Sequence, residues 1–375
     1  MKSVGLITMH RVANHGSVLQ SLATQKVIEQ LGYNCIIIDY AYPTDNHLKR
    51  MGLDWYPHER NLWQLIKKTI RQRPIRKTYE RLEYFYWFRK RFLKTTKKTY
   101  YSTEELSQNI EISSFDIYCV GSDQVWNPKY TMDDGAFVLD FVPKNKKKIS
   151  YSSSFVVKKI IDDRQKEFYG NHLNMFNALS VREESGVNII KELTGKDAVH
   201  VLDPVFLLTK EQWNKILGIK IKRQLYVFFY CLNYMSDVLQ KMEELLEELS
   251  NKNFGLKILS NKKINNVSNV EIINDDKPQR FVEYIANASI VLTDSFHASA
   301  FALIYGLPVY SFVGDRNDGR IYSLFKSLGI QRNVIYGNET NKLNFSLMPL
   351  NIENKIVQLK DQSMQYLRNA LEQEN

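Results

Sequence analysis

Two successive strand–helix alternations constrain this chain more than any other feature, because each one demands a parallel sheet. Val4–Met9 (VGLITM) is a short apolar run and reads as a buried strand. From Gly16 to Leu31 apolar residues recur at helical spacing (Val18, Leu19, Leu22, Ala23, Val27, Ile28, Leu31), and Gly32 stops the helix. Cys35–Tyr40 (CIIIDY) is the next strand. Strand, turn, helix and strand within about 40 residues form a βαβ unit, whose strands pair parallel and are buried on both faces. Further strands are predicted at Asp116–Gly121, Ile149–Ser154, Ala178–Arg182 and Val199–Leu202, with a helix over Glu183–Leu193. Asp203-Pro204, with a looser stretch to Trp213, marks a boundary. A second alternation follows: strand Tyr226–Cys231, helix Asp237–Leu249, strand Gly255–Leu259, a helix near Phe281–Ala288, strand Ile290–Thr293, a helix over about Ser295–Tyr305, and strand Val309–Val313. A last helix covers about Ile352–Leu371. The pattern predicts an α/β protein of two Rossmann-like domains, 1–205 and 206–375, facing each other across a cleft, with the last helix packing back on the first.

Composition narrows the class. The 375 residues are 44% hydrophobic and 25% charged, which excludes disordered, collagenous and disulfide-scaffold chains. Three widely spaced cysteines (Cys35, Cys119, Cys231) fit a reducing compartment and supply no CxxC pair. The N-terminus enters a strand at once, and no stretch approaches the ~18 apolar residues of a membrane span. A cytoplasmic protein is therefore expected, at most peripheral at the inner face of the membrane. The net charge of +10 invites a nucleic-acid reading, but its position argues against one. Arg60–Lys98 holds 14 Lys and Arg against two acids, +12 in 39 residues, which leaves 10 − 12 = −2 for everything else. A basic helical insertion at about 55–110 is expected, and no nucleic-acid partner.

Four constellations carry possible chemistry. Asn14-His15-Gly16-Ser17 opens the first helix, where free amides and the positive dipole end suit an anion; the bland alternative is an ordinary turn with Asn and Gly chosen for backbone reasons. It is neither a GxGxxG nor a Walker loop. Ser122, Asp123 and Gln124, in GSDQVWNP after a strand, suit a hydroxylated ligand, or else Ser122 or Asp123 caps a short turn. Arg182 stands where a strand gives way to a helix. It could clamp a carboxylate or phosphate, or pair with Glu183, Glu184 or a nearby loop. Asp294-Ser295-Phe296-His297 leads a strand into a helix, with Asp294 or Ser295 as its cap. A histidine in such a place can hold a proton in one step and release it in another, or simply bond a nearby carbonyl. The other six histidines (10, 15, 47, 58, 172, 200) show neither HxH nor HExxH spacing, so no metal is expected.

In this order the stretches HRVANHGSVLQSLATQKVIEQLGY, VGSDQVWNP, ISYSSSF, SVREESG, VLDPVFLL and TDSFHASAFALIYGLPVYSF resemble the polysaccharide pyruvyl transferase family, over about residues 10–312. The resemblance implies a GT-B-like architecture. It also implies transfer of the enolpyruvyl group of phosphoenolpyruvate (PEP) onto two hydroxyls of a sugar in a surface polysaccharide or its lipid-linked precursor, giving a pyruvate ketal. On this resemblance Arg182 is the anion clamp and His297 the acid/base, with Asp123 or Asp294 orienting sugar or histidine; no cofactor or metal is called for. Where family members carry Arg-Leu-His, this chain has Ser295-Phe296-His297. On this resemblance a second cationic contact to PEP is either missing or supplied from elsewhere, by Arg316 or Arg320 after the last strand. The alternatives are a nucleotide-sugar glycosyltransferase on the same architecture, and a glycan-binding protein without activity. The basic segment, with Ile75, Tyr79, Leu82, Tyr86 and Leu93 on one stripe, is either a solvated insertion or a face for anionic membrane or a lipid-linked pyrophosphate.

Overall fold

The computed structural model describes residues 1–43, 47, 73–232, 244, 246–247, 249, 254–259, 270–314, 319–336 and 350–373. The chain divides into two compact units, Met1–Pro204 with Met364–Asn375, and Val205–Ser363.

The first unit runs β1 (Ser3–Ile7), α1 (His15–Gln30), β2 (Asn34–Ile37), α2 (Arg73–Phe92), β3 (Ile117–Val120), β4 (Lys147–Ser150), α3 (Asp163–Leu173), β5 (Ser180–Val181), α4 (Glu184–Thr194) and β6 (Val199–His200). Four strands pair in the order β2-β1-β3-β4, all parallel, with Val4 opposite both Cys35 and Ile117. The β5–β6 pair continues this surface through parallel bridges at Ile149–Ala178 and Ser153–Val181. Every residue of β3 and β4 is buried, as a sheet covered on both faces requires. Helix α1 is buried nearly all round, so its polar side chains must bond internally. Gln25 does so by donating to the carbonyls of Cys35 and Lys94 while accepting from the Lys94 amide.

The basic segment contributes α2, and its buried side takes in only part of the expected stripe: Leu93, just past the helix, is buried. Phe85, Phe88 and Arg89 are buried, while Leu82 and Tyr86 are half-buried. Phe85 packs on His15 with ring centres 5.3 Å apart, and Arg81 donates to the Ala13 carbonyl, which rotates the helix toward the start of α1. Trp87 is 60% exposed. Ile75 and Tyr79 lie outside the residues whose side chains are described.

In the second unit, α5 (Lys210–Leu217), β7 (Tyr226–Tyr230), β8 (Gly255–Leu259), β9 (Val270–Ile272), α6 (Pro278–Asn287), β10 (Ile290–Thr293), α7 (Phe296–Ile304), β11 (Val309–Val313), α8 (Gly319–Leu328) and β12 (Val334–Tyr336) precede α9 (Glu353–Glu372). Its six parallel strands lie in the order β12-β11-β10-β7-β8-β9. The stretch read as loose up to Trp213 is ordered: a capping box between Thr209 and Gln212 starts α5, and Trp213 is buried with its indole N–H on the Val205 carbonyl at 3.0 Å. Helix Asp237–Leu249 falls mostly outside the described residues. The end of α9, from Met364, belongs to the first unit. There Tyr366 donates to the Ser150 carbonyl at 2.9 Å and Lys147 to that of Leu371 at 3.2 Å.

Candidate functional site

In an open parallel sheet the strand order reverses once, and the crevice outside the carboxyl ends of the two strands at that point is where ligands bind. Both units have one. In the first it lies between β1 and β3, in the second between β7 and β10. The sequence candidates on α1, after β3 and after β10 leave the strands at these two places.

In the first unit, Asn14 caps α1 and its side-chain oxygen accepts from the amides of Gly16 (2.9 Å) and Ser17 (3.4 Å). Those two donors are therefore occupied, which corrects the expectation of an open anion cradle, and His15 is buried against Phe85 rather than presented. Ser17 spans the switch point and donates to Asp123 Oδ2 at 2.5 Å. Asp123 follows β3 with φ +78, and its other oxygen accepts from the Gln124 amide at 2.9 Å. Ser122 is buried and donates to Asp203 Oδ2 at 2.9 Å. Gln124 is half-buried and accepts from Asn127.

Arg182 is not an open clamp. It is 3% exposed, and Nη1 donates to Asp203 Oδ2 at 3.0 Å, with Nη2 3.9 Å from Asp123 Oδ1. The guanidinium is the counter-ion of Asp203 and holds the carboxylate that anchors Ser122. The neighbour Glu183, 1% exposed, leaves its own helix uncapped and instead accepts through Oε1 from the amides of Phe155 (2.7 Å) and Val156 (3.0 Å). Val156 and Ser152 have φ +67 and +57. With Asp123, three non-glycine residues around one set of strand ends hold a conformation costing about 1–3 kcal/mol each. Such strain persists only where surrounding contacts impose it, and Glu183 supplies two of them. Gly186 lets α4 approach: a Cβ there would meet the Val181 side chain at 3.0–3.2 Å.

Sequence reasoning missed Asp203, Glu183 and the buried hydroxyls Ser150, Ser152, Ser153 and Ser180. It also missed a network at the ends of β1 and β2. Asp39 accepts from His10 Nε2 and Arg11 Nη1, each at 2.8 Å, and from Thr99 at 2.7 Å. Burial pushes the Asp39 carboxyl up; the hydrogen bond and charge of His10, with Arg11 and Thr99, outweigh this and hold it well below the usual carboxylate range. The cysteines are buried, and burial raises the Cys119 thiol to about 12 and Cys35 well above its ordinary value. Neither is a poised nucleophile.

In the second unit Ser295 caps α7, accepting from Ala298, and its carbonyl accepts from Ser299. Asp294 does not cap. Its Oδ1 accepts from the Leu232 amide at 2.6 Å and its Oδ2 from the Cys231 thiol at 3.5 Å, so it ties the end of β10 to that of β7 across the switch point. His297 lies in the first turn of α7, 7% exposed, its ring edge-on to Phe296 at 5.2 Å. Arg320 is half-buried in the first turn of α8. Arg316 lies outside the described residues. Among the described residues no group of His, Cys, Asp and Glu is arranged to hold a metal, and no helix is long and apolar enough to cross a membrane.

Solved structures with this arrangement include UDP-GlcNAc 2-epimerase from Methanocaldococcus jannaschii (12% identity, 96% of this chain and 92% of that one, TM-score 0.52). The S. aureus MnaA–UDP structure (11%, 99% and 91%, 0.49) and E. coli heptosyltransferase WaaC with ADP (14%, 96% and 99%, 0.44) also match. At such identity the likeness speaks to the fold alone, which is GT-B. No curated protein matches the sequence. The model of the family described as polysaccharide pyruvyl transferase matches residues 14–316, a span that takes in Asn14, Asp123, Arg182, Asp203 and His297 together, and the chain is a transferase of that family.

Proposed function

We propose that the chain transfers the enolpyruvyl group of PEP onto two hydroxyls of one sugar in a surface polysaccharide or its lipid-linked precursor. The observation that carries this reading is His297 at the switch point of the second sheet, on a chain whose family match runs through it. His297 gives a proton to the methylene carbon of PEP, and the oxocarbenium-like carbon is attacked by a sugar hydroxyl. The bond to the phosphate oxygen then breaks, and the neighbouring hydroxyl closes the ketal. The two hydroxyl protons end on the new methyl group and on the departing phosphate. Closing the ring is intramolecular, which contributes several kcal/mol once the diol is held. Arg320 meets the charge of PEP on the second unit; Arg182, paired with Asp203, positions Ser122 and Asp123 for the sugar on the first.

The test is PEP-dependent phosphate release with the host's surface glycan, read beside the mass that a pyruvate ketal adds to one sugar. His297→Ala should lower turnover by about 10²–10⁴-fold with the fold intact. Undiminished turnover removes its role, and turnover with a UDP- or GDP-sugar in place of PEP removes the reading itself. On the same reading the exposed end of α2, with Trp87, Lys90 and Arg91, meets the anionic membrane that bears the lipid-linked acceptor.

A further inference from the structure

Away from both switch points, the first unit holds a cavity of about 180 Å³ between the end of β2, the turn after Tyr100 and the segment Met132–Gly135. That is room for roughly six waters, the scale of one small polar ring. Tyr40, His47, Tyr101, Glu104, Asp133 and Asp134 line it. Asp134 is its fixed floor: Oδ2 accepts from the Tyr40 hydroxyl at 2.7 Å and stands 2.8 Å from His47 Nε2, while Oδ1 accepts from the Ala136 amide at 2.9 Å. Burial, then the charge of Asp134, raises the Tyr40 phenol, which stays a donor. Met132 and Asp133, at φ +45 and +63, are consecutive non-glycine residues in the left-handed region, a strained wall of the kind found at binding sites. Asp133 is exposed, as is Glu104.

The chemistry of the lining selects the ligand. Three carboxylates and one histidine already paired with Asp134 repel PEP, so this is not the donor site. Paired carboxylates accept well from the vicinal hydroxyls of a sugar, and tyrosine rings cover the apolar C–H face of one. We propose that this cavity holds one neutral sugar ring of the acceptor glycan, with Glu104 and Asp133 accepting from its hydroxyls. The assignment rests on the pyruvyl-transfer reading for the word acceptor, but not for the sugar.

The experiment is the double variant Glu104→Gln with Asp133→Asn. Both positions are exposed, and Asn tolerates the left-handed backbone as Asp does. Saturation-transfer NMR with methyl glycosides of neutral hexoses and N-acetylhexosamines should show binding to the full chain that the variant loses. The KM for the glycan should rise about tenfold or more, with the KM for PEP unchanged. An unaltered glycan KM in a variant that still turns over PEP overturns the cavity assignment alone, as does a shift in the KM for PEP instead. Sugar binding that the variant abolishes, in a chain that never consumes PEP, upholds the cavity and overturns the pyruvyl-transfer reading.

Discussion

Replacing Asp203 by alanine should be the most damaging single change at the strand ends of the first unit. The wild-type carboxylate is 1% exposed, accepts from Arg182 Nη1 at 3.0 Å and from Ser122 Oγ at 2.9 Å, and faces a guanidinium that is itself 3% exposed. Removing one partner of a buried ion pair costs about 3–5 kcal/mol, because the other charge is left in a medium that solvates it poorly. The orphaned Ser122 hydroxyl adds about 1 kcal/mol. Asp123 offsets little, since it stands 3.9 Å from Nη2 and already accepts from Ser17 and Gln124. A domain has only about 5–15 kcal/mol in hand, so the loss is a large share of it. Asp203→Asn keeps an acceptor for both donors and should cost only about 1–2 kcal/mol, the difference between a charged and a neutral hydrogen bond. The chain has two units, so one global unfolding transition is the wrong measure. Amide hydrogen exchange over 147–154 and 178–182 reads the opening of this sheet directly. About three to four and a half decades of protection should be lost in the alanine variant and about one in the asparagine variant. Equal, small losses in both would show that Arg182 is solvated or paired elsewhere, and the buried-counter-ion argument would fall.

Two further outcomes follow from the geometry. Asp39 has its folded-state pKa depressed, so its contribution to stability is full above the unfolded carboxylate value of about 3.9 and is lost as pH falls through that value toward the lower folded one. Urea midpoints measured from pH 7 to 3 should therefore fall less steeply at the acid end in Asp39→Asn than in the parent; parallel acid limbs would refute the assignment. Beyond the end of α2, Lys94 and Lys98 pair with Glu29 (2.6 Å) and Glu105 (3.7 Å), whereas Trp87, Lys90 and Arg91 on its last turns are exposed and form the group assigned to the proposed membrane contact. Lys90→Gln with Arg91→Gln should weaken binding to phosphatidylserine vesicles by about 30-fold, at about 1 kcal/mol per cation, and co-sedimentation that ignores salt and lipid charge would sink that contact.

What was legible in the sequence is what the chain encodes locally. The strands Gly255–Leu259, Ile290–Thr293 and Val309–Val313 stand where their mainly apolar runs put them, and the last two are buried at every residue, as strands covered on both faces are. The strands β9 (VEI) and β12 (VIY) were passed over, being three residues each, and at the sheet's edges, where that demand lapses. Helix α5 carries its own signal in the capping box of Thr209 and Gln212, but the neighbouring Asp203-Pro204 gives the stretch the look of a boundary. The same local bias governed the site. Ser295 caps the helix that starts at the next residue, a role visible within four residues of sequence; Ser17 with Asp123, and Ser122 with Asp203, lie 106 and 81 residues apart.

Even so, the strand order makes those long-range pairs follow rather than surprise. Once β1 lies beside β3, the residues leaving their carboxyl ends must share one small volume, and polar groups buried there have to satisfy one another. That requirement turned the expected anion clamp into a counter-ion. The Arg182 guanidinium faces two carboxylates, Asp203 and Asp123, while that of Glu183 is turned to the Phe155 and Val156 amides, so these strand ends hold more carboxylates than guanidinium groups before any ligand arrives. A multiply charged donor brought there would repel two carboxylates for each contact made with the guanidinium, whereas a neutral polyol meets acceptors and hydroxyls already oriented. At the second unit's switch point Asp294 is committed to the end of β7, its two oxygens accepting from the Leu232 amide and the Cys231 thiol. On the proposed reading, the electrostatics of the first sheet therefore favour the hydroxylated acceptor over the charged donor, a preference that no single motif in the chain announces.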